Sequence, residues 1–212
     1  MEEYLNEKEQ WDWLQARVRE YAPWVVAGVA LAGAGLWGWK WWQARTEERL
    51  LQASAQYEQL VGAFGKNDLA TVSTLADKLS SEHPGTGYAE QGQLAAAGLM
   101  VESNQLPGAL ERLQKVMAGT RDPQLALTVR LRIARVQLQQ GKPDEALASL
   151  AAVQPGAFAA RFAEVRGDAL SAKGDRDGAL KAYREAQAAA EPGAGSSGED
   201  LLGLKINALS RS

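Results

Sequence analysis

The chain has 212 residues, with 23 lysines and arginines against 26 acidic residues, a net charge of −3, one histidine and no cysteine. That length allows one or two domains; the missing cysteines exclude disulfide and thiolate chemistry, and the near balance of charge gives nucleic acid no electrostatic handle. All seven tryptophans fall within the first 42 residues, so the start of the chain and the remainder are written for different solvents.

Residues 1–20 hold six acidic and three basic side chains and predict a short amphipathic helix. Asn6 and Glu9 make a capping pair, and Trp11, Leu14, Val18 and Tyr21 recur at helical spacing. Such a face suits a lipid surface or a partner.

Residues 21–39, YAPWVVAGVALAGAGLWGW, carry no charge. A helix needs roughly 20 apolar residues to cross a bilayer core, and interfacial tryptophans mark the ends of such spans. Trp24 stands at one end and Trp37, Trp39, Trp41 and Trp42 at the other, so a membrane anchor is expected over 21–42. A cleaved signal peptide would begin with a basic leader, which is absent. Gly33, Gly35 and Gly38 spell a dinucleotide-binding pattern, but no strand precedes them. Ala27, Gly28, Ala32, Ala34, Gly35 and Gly38 gather on one side of the helix, a face on which another membrane helix could pack closely. Orientation is undetermined by charge: Arg17 and Arg19 precede the span, and Lys40, Arg45 and Arg49 follow it.

Beyond the span, Leu50, Ala53, Tyr57, Leu60, Val61 and Phe64 form a helical stripe. The chain then repeats itself. Asn67, Asn104, Gly141 and Gly174 occupy turn positions at spacings of 37, 37 and 33 residues. Val72, Ala109, Ala146 and Ala179 follow in register, and then Ala76, Leu113, Leu150 and Tyr183. Pro107 and Pro143 stand near second-helix starts, where the missing N–H costs little. The units read as four helix–turn–helix pairs over 43–192. Gly167, Gly174, Ala179, Tyr183 and Ala186, with Pro192 beyond, resemble the tetratricopeptide pattern. The third unit keeps Ala134, Gly141, Ala146 and Leu150, whereas the first two are degenerate. An all-α solenoid of stacked hairpins is expected. Residues 193–198 read as a flexible break, and Leu201, Leu202, Leu204, Ile206 and Leu209 as an amphipathic helix covering the exposed end, so 193–212 closes the domain.

Catalytic chemistry is not legible. His83 precedes Pro84-Gly85 in an expected loop and reads as solvated. Asp144-Glu145 and Glu199-Asp200 sit at helix starts, where they favour the helix dipole. No metal-ligand spacing or activated nucleophile is recognisable. A protein that is not an enzyme, with no cofactor, metal or small-molecule substrate, is expected.

The whole chain resembles the YfgM-type ancillary subunits of the bacterial SecYEG translocon. The resemblance is carried by the Met1-Glu2-Glu3-Tyr4 start, Gly38-Trp39-Lys40-Trp41-Trp42, the helix Leu131-Arg132-Ile133-Ala134-Arg135-Val136-Gln137, the turn Arg166-Gly167-Asp168-Ala169-Leu170-Ser171-Ala172-Lys173-Gly174-Asp175, and Lys205-Ile206-Asn207. It implies a single-pass inner-membrane protein with a cytosolic tail over 1–20 and a periplasmic repeat domain. It also implies association with the translocon and with a membrane-anchored periplasmic chaperone of the PpiD type, and delivery of emerging chains to periplasmic chaperones. No catalytic residues transfer. An anchored adaptor for envelope protein assembly, without translocon contact, is the alternative.

In tetratricopeptide solenoids the first helices of the units line the concave face. The repeat register places Gln91, Leu94, Val101, Leu131, Arg135, Leu138, Arg161, Glu164 and Asp168 there. The early part of this set is apolar and the later part charged, unlike the paired Lys/Asn groups that clamp a C-terminal carboxylate. Recognition of an apolar or partly unfolded segment is the expectation.

Overall fold

The computed structural model describes residues 7–151, 153–190 and 196–211. Up to residue 25 of the first helix, only the side chains of Trp11, Gln15, Arg17, Arg19 and Trp24 are described, and those of 191–200 and 211 are not. The Met1-Glu2-Glu3-Tyr4 start, the Asn6/Glu9 pair, the side chains of Leu14, Val18 and Tyr21, those of Glu199 and Asp200, and Pro192 therefore lie outside the described residues.

The described residues are helical throughout their regular structure: α1 (Glu7–Phe64), α2 (Leu69–Glu82), α3 (Gly87–Glu102), α4 (Leu106–Gly119), α5 (Pro123–Gln139), α6 (Pro143–Ala151), a 3-10 turn (Gly156–Phe158), α7 (Ala159–Ala172), α8 (Arg176–Ala189) and α9 (Ser196–Arg211). They divide into two units, Met1–Gln52 and Ala53–Ser212.

In the first unit α1 carries the uncharged stretch. From residue 26 to 52 every side chain is exposed, including Val26, Val29, Leu31, Leu36, Trp37, Trp39, Trp41 and Trp42. Trp39 and Trp42 are in ring contact at 5.7 Å, and the Arg45 guanidinium lies 5.2 Å from the centre of the Trp41 ring. Among the described residues, no helix is long and apolar enough to cross a membrane.

The second unit is a run of helical hairpins. Asn67 and Asn104 adopt φ of 55° and 56°, and Gly141 and Gly174 φ of 72° and 80°. The four turn positions thus share one left-handed conformation, which glycine adopts without cost and asparagine tolerates. Helix starts are capped by side chains: Asp68 accepts from the Thr71 N–H (3.1 Å), Asp122 from Gln124 (2.8 Å) and Asp175 from Gly178 (2.9 Å).

Among the described residues the core of the second unit is a chain of four clusters, each shared between one hairpin and the helix that follows. The first joins Ala53 and Leu60 of α1 to Val72, Ala76 and Leu79 of α2 and to Ala89, Ala96 and Leu99 of α3. The next two step along the chain through Leu113 with Val129, and through Leu150 with Val165. The last joins Ala163, Ala179, Tyr183 and Ala186 to Leu202 of α9. The repeat positions explain this: Val72, Ala109, Ala146 and Ala179 are all fully buried, and Ala76, Leu113, Leu150 and Tyr183 nearly so. No hairpin encloses its own apolar face, so each neighbour contributes part of its core.

The first two units, degenerate by pattern, hold the same architecture by other means. Leu60 and Leu79 close over Gly92, where an added Cβ would come within 3.2 Å of both. The buried amide of Gln93 donates to the Ala76 carbonyl (3.1 Å), Asp77 (3.0 Å) and Ser80 (2.9 Å), while accepting from Arg112 (2.7 Å). Arg112 also forks onto Asp77 at 2.8 and 3.1 Å, tying α2, α3 and α4 together. The Arg112 hydrogen bond holds the Asp77 carboxyl below its ordinary range. A folded-state pKa below the unfolded one means stabilisation present above about pH 3.9 and lost as pH falls through the folded value. Thermal melts across pH 2–6 are expected to show an acid loss of stability that is smaller in Asp77→Asn. Solvent at the half-exposed carboxylate keeps that difference modest. Identical acid limbs in the two proteins would remove Asp77 from the acid response.

Two sequence expectations are corrected. His83 is buried rather than solvated, at 7% exposure, and neither ring nitrogen has a hydrogen-bond partner among the described residues. It caps α2 through its N–H to Leu79 (2.9 Å), and the following turn, with Gly85 at φ 73°, closes on its carbonyl through the Thr86 hydroxyl (2.8 Å). In α9, only Leu202, Ile206 and Leu209 pack on the last cluster, whereas Leu201 and Leu204 are exposed. Residues 202, 206 and 209 share one stripe, and 201 and 204 lie roughly 100° or more around the helix from it. The helix also begins at Ser196, inside the expected break.

Candidate functional site

Three first helices of the hairpins leave an open groove of about 680 Å³ in the second unit, a size within the roughly 300–1,000 Å³ of ligand sites. The end of α1 contributes Tyr57, Leu60, Val61 and Phe64. From α3 come Gln91, Leu94, Ala95, Ala97, Gly98, Val101 and Glu102, and from α5 Arg132, Arg135, Val136 and Gln139, while Leu113 of the second helix α4 also lines it. On α1 and α5 these residues are spaced by three and four and form one helix face each; on α3 the same holds except for Ala97, which stands roughly 100° around from the middle of that face. The packing of the hairpins against one another turns those faces to a common space.

The floor is apolar. Leu60, Leu94 and Val136 are buried core residues reached from the groove, whereas Val61 and Phe64 remain exposed. At Gly98, in the middle of α3, a Cβ would meet no atom within 4 Å. The missing side chain leaves room over the groove rather than admitting a neighbouring helix. The rim is polar, with Gln91, Glu102, Arg132, Arg135 and Gln139 all exposed. No ion pair involves Arg132, Arg135 or Glu102 among the described residues.

Of the nine residues assigned by register to the concave face, Gln91, Leu94, Val101 and Arg135 line this groove together. Leu131 does not: it is 4% exposed, in the third core cluster, and Leu138 packs against the same cluster. Both stand on α5 roughly 100° around from the middle of the 132/135/136/139 face, which is why a count by register alone misplaces them. Arg161 is exposed on α7, away from the groove lining.

Glu164 and Asp168 serve the end cap instead. Lys205 of α9 reaches Glu164 at 2.8 Å and Asp168 at 2.7 Å, and its ammonium lies 5.6 Å from the centre of the Tyr183 ring. The Tyr183 hydroxyl donates to Asp168 at 2.8 Å. Burial alone would lower the Lys205 pKa, but the hydrogen bonds and charges of Asp168 and Glu164 outweigh it and raise the value. Burial and the bond to Asp168 likewise push the Tyr183 phenol upward.

Sequence reasoning missed Val61, Phe64, Arg132 and Gln139 as groove residues. The stripe at 57, 60, 61 and 64 was visible, but its exposed half becomes meaningful only once α3 and α5 lie beside it. On α1, Ala27, Gly28, Ala32, Ala34, Gly35 and Gly38 are all exposed, and a methyl group added at any of these three glycines would meet no atom within 4 Å. Among the described residues, no cluster of three or more His, Asp or Glu side chains could hold a metal ion.

A family described as a tetratricopeptide repeat-like domain matches residues 16–211. A protein of Escherichia coli strain K12 named ancillary SecYEG translocon subunit is 31% identical over 210 residues, spanning 99% of this chain and 100% of that one. A protein of the same name from Aggregatibacter actinomycetemcomitans is 30% identical over 205 residues, 97% of this chain and 98% of its own. A third, from Neisseria gonorrhoeae, is 28% identical over 210 residues, 99% and 100% of the two chains.

Proposed function

The chain belongs to the family of ancillary SecYEG translocon subunits built on a tetratricopeptide repeat-like domain, and from that membership we propose that it is a membrane-anchored, non-enzymatic binding scaffold at the translocon. In this reading the groove formed by α1, α3 and α5 receives apolar segments of emerging polypeptides, and the protein passes them to periplasmic chaperones. The observation that carries it is the groove itself: an open apolar floor with exposed Val61 and Phe64 and no side chain over Gly98. A concave, mostly apolar groove with a few polar groups at its rim is the usual form of a binding site.

The proposed anchor is the stretch 21–42, of which the described part alone is not long and apolar enough for a span, the side chains of 21–23 and 25 lying outside it. What supports it is the uncharged run from 21 to 39, its tryptophan flanks and the exposure of every described side chain from 26 to 42. In water such a row would be costly, and in lipid it is the favoured state. The tail of 1–20 then lies in the cytosol, and the repeats over 43–192 with the end helix lie in the periplasm of the inner membrane. The small-residue face from Ala27 to Gly38 packs on a helix of the translocon or of a PpiD-type membrane-anchored chaperone.

Site-specific photocrosslinking in cells tests both parts at once. A crosslinker at Gly98 is expected to capture secretory chains during export, and one at Gly35 to capture translocon or chaperone membrane helices. Protease added to spheroplasts should digest the repeats. Capture at Gly98 of no exported chain, while Gly35 still captures its helix, would leave the protein a translocon subunit without a client site. Protection of the repeats would reverse the topology.

A further inference from the structure

Resting on the reading of the groove as the client site, we infer that its preferred occupant is an amphipathic α-helix whose apolar stripe is flanked on one side by carboxylates. Two features lead there. The first is the state of the backbone. The walls are helices whose peptide groups are already paired, and the polar lining side chains stand at the rim. An extended segment laid on that floor would bury peptide groups with nothing to bond to, whereas a helix satisfies its own. The face of α3 that lines the groove runs from Gln91 to Glu102, about 16 Å at 1.5 Å per residue. That length matches about three turns of a docked helix, enough for anchors at i, i+3 or i+4, and i+7.

The second is charge. Arg132 and Arg135 are one turn apart on α5, both exposed, both lining the groove and neither in an ion pair among the described residues. The acidic lining residue is Glu102, in the last turn of α3, so the α5 wall is positive. The contrast with α7 is informative: its carboxylates Glu164 and Asp168 already share an ion-pair partner, Lys205 of α9. The arginine pair is left to an external partner. Guanidinium forks favour carboxylates, and one pair along one wall sets which side of a helix faces α5.

The test uses the full-length chain in nanodiscs of zwitterionic lipid, with empty nanodiscs as the blank, and three fluorescent peptides read by anisotropy. All three share one leucine stripe. The first carries glutamates beside the stripe, the second lysines at those positions, and the third is the first with a central proline on the solvent side. The acidic helix is expected to bind about tenfold more tightly than the basic one, an advantage that salt reduces. Arg132→Glu with Arg135→Glu, both exposed, should invert the preference, and the proline peptide should bind weakly because its helix is broken. Equal binding of acidic and basic peptides would overturn the charge preference, and undiminished binding of the proline peptide would overturn the helical one. Both results leave the groove itself as the site. Binding that survives Gly98→Trp, which fills the groove, would instead remove the groove reading on which the inference stands.

Discussion

Gly167→Ala is expected to destabilise the C-terminal hairpin by about 2 kcal/mol, even though alanine is the better helix former. A Cβ at residue 167 would lie 2.5 Å from both Cδ1 and Cε1 of Tyr183 and 3.1 Å from its Cγ. The ring cannot swing aside cheaply, because it is 3% exposed within the last cluster and its hydroxyl is tied to Asp168. Overpacking of this kind costs about 1–3 kcal/mol and a strained hydrogen bond about 1 more, while removing a mid-helix glycine returns up to about 1. Because Lys205 also lies over that ring, α9 should loosen with it. Denaturant titration of the full chain reads the loss. In a Tyr183→Leu background the alanine should cost much less, since the obstructing ring is gone. An equal penalty in both backgrounds would place the strain elsewhere than the ring.

The same pair shows how much of the fold was legible in the sequence. Gly167 and Tyr183 stand sixteen residues apart in the tetratricopeptide pattern, and the structure puts one against the other for a steric reason: only a residue without a side chain admits the ring. The turn asparagines and glycines were equally legible, since a left-handed turn restricts residue type. The early units were harder to read. Their register is held by Gln93, Asp77 and Arg112, residues from three different helices, and a network of that kind leaves no periodic signal along one helix. The groove was half legible. The register put α3 and α5 on it, but it also put Arg161, Glu164 and Asp168 of α7 there and assigned no residue of α1; which side of α5 faces it depends on how α5 is rotated against α3. An offset of about 100° separates a binding residue from a core residue. His83 was misread for a related reason: the turn sequence after it suggested solvent, and only the tertiary packing covers its ring.

Leu131→Asp is therefore expected to unfold the repeat domain rather than to weaken client binding alone. The side chain is 4% exposed and sits with Ala134, Ala146, Leu150 and Phe162, the cluster through which α5 and α6 hold α7. Truncating such a leucine costs about 2–5 kcal/mol, and a carboxylate with no partner at that place adds a further desolvation penalty of several kcal/mol. The sum is comparable to the roughly 5–15 kcal/mol that holds a domain together. Leu94→Asp, at 5% exposure between α3 and its neighbours, should behave similarly although Leu94 also borders the groove. Val61→Asp is the contrasting change: Val61 lines the same groove at 49% exposure, and its carboxylate stays in water until a client covers it. Circular dichroism melts should show a lost or strongly lowered transition for both leucine variants and a near-normal one for Val61→Asp. Peptide binding should fall in all three, and in Val61→Asp it should fall without unfolding. A Leu131→Asp protein that melts normally and only loses binding would put Leu131 on the client face, and the rotation of α5 described here would be wrong.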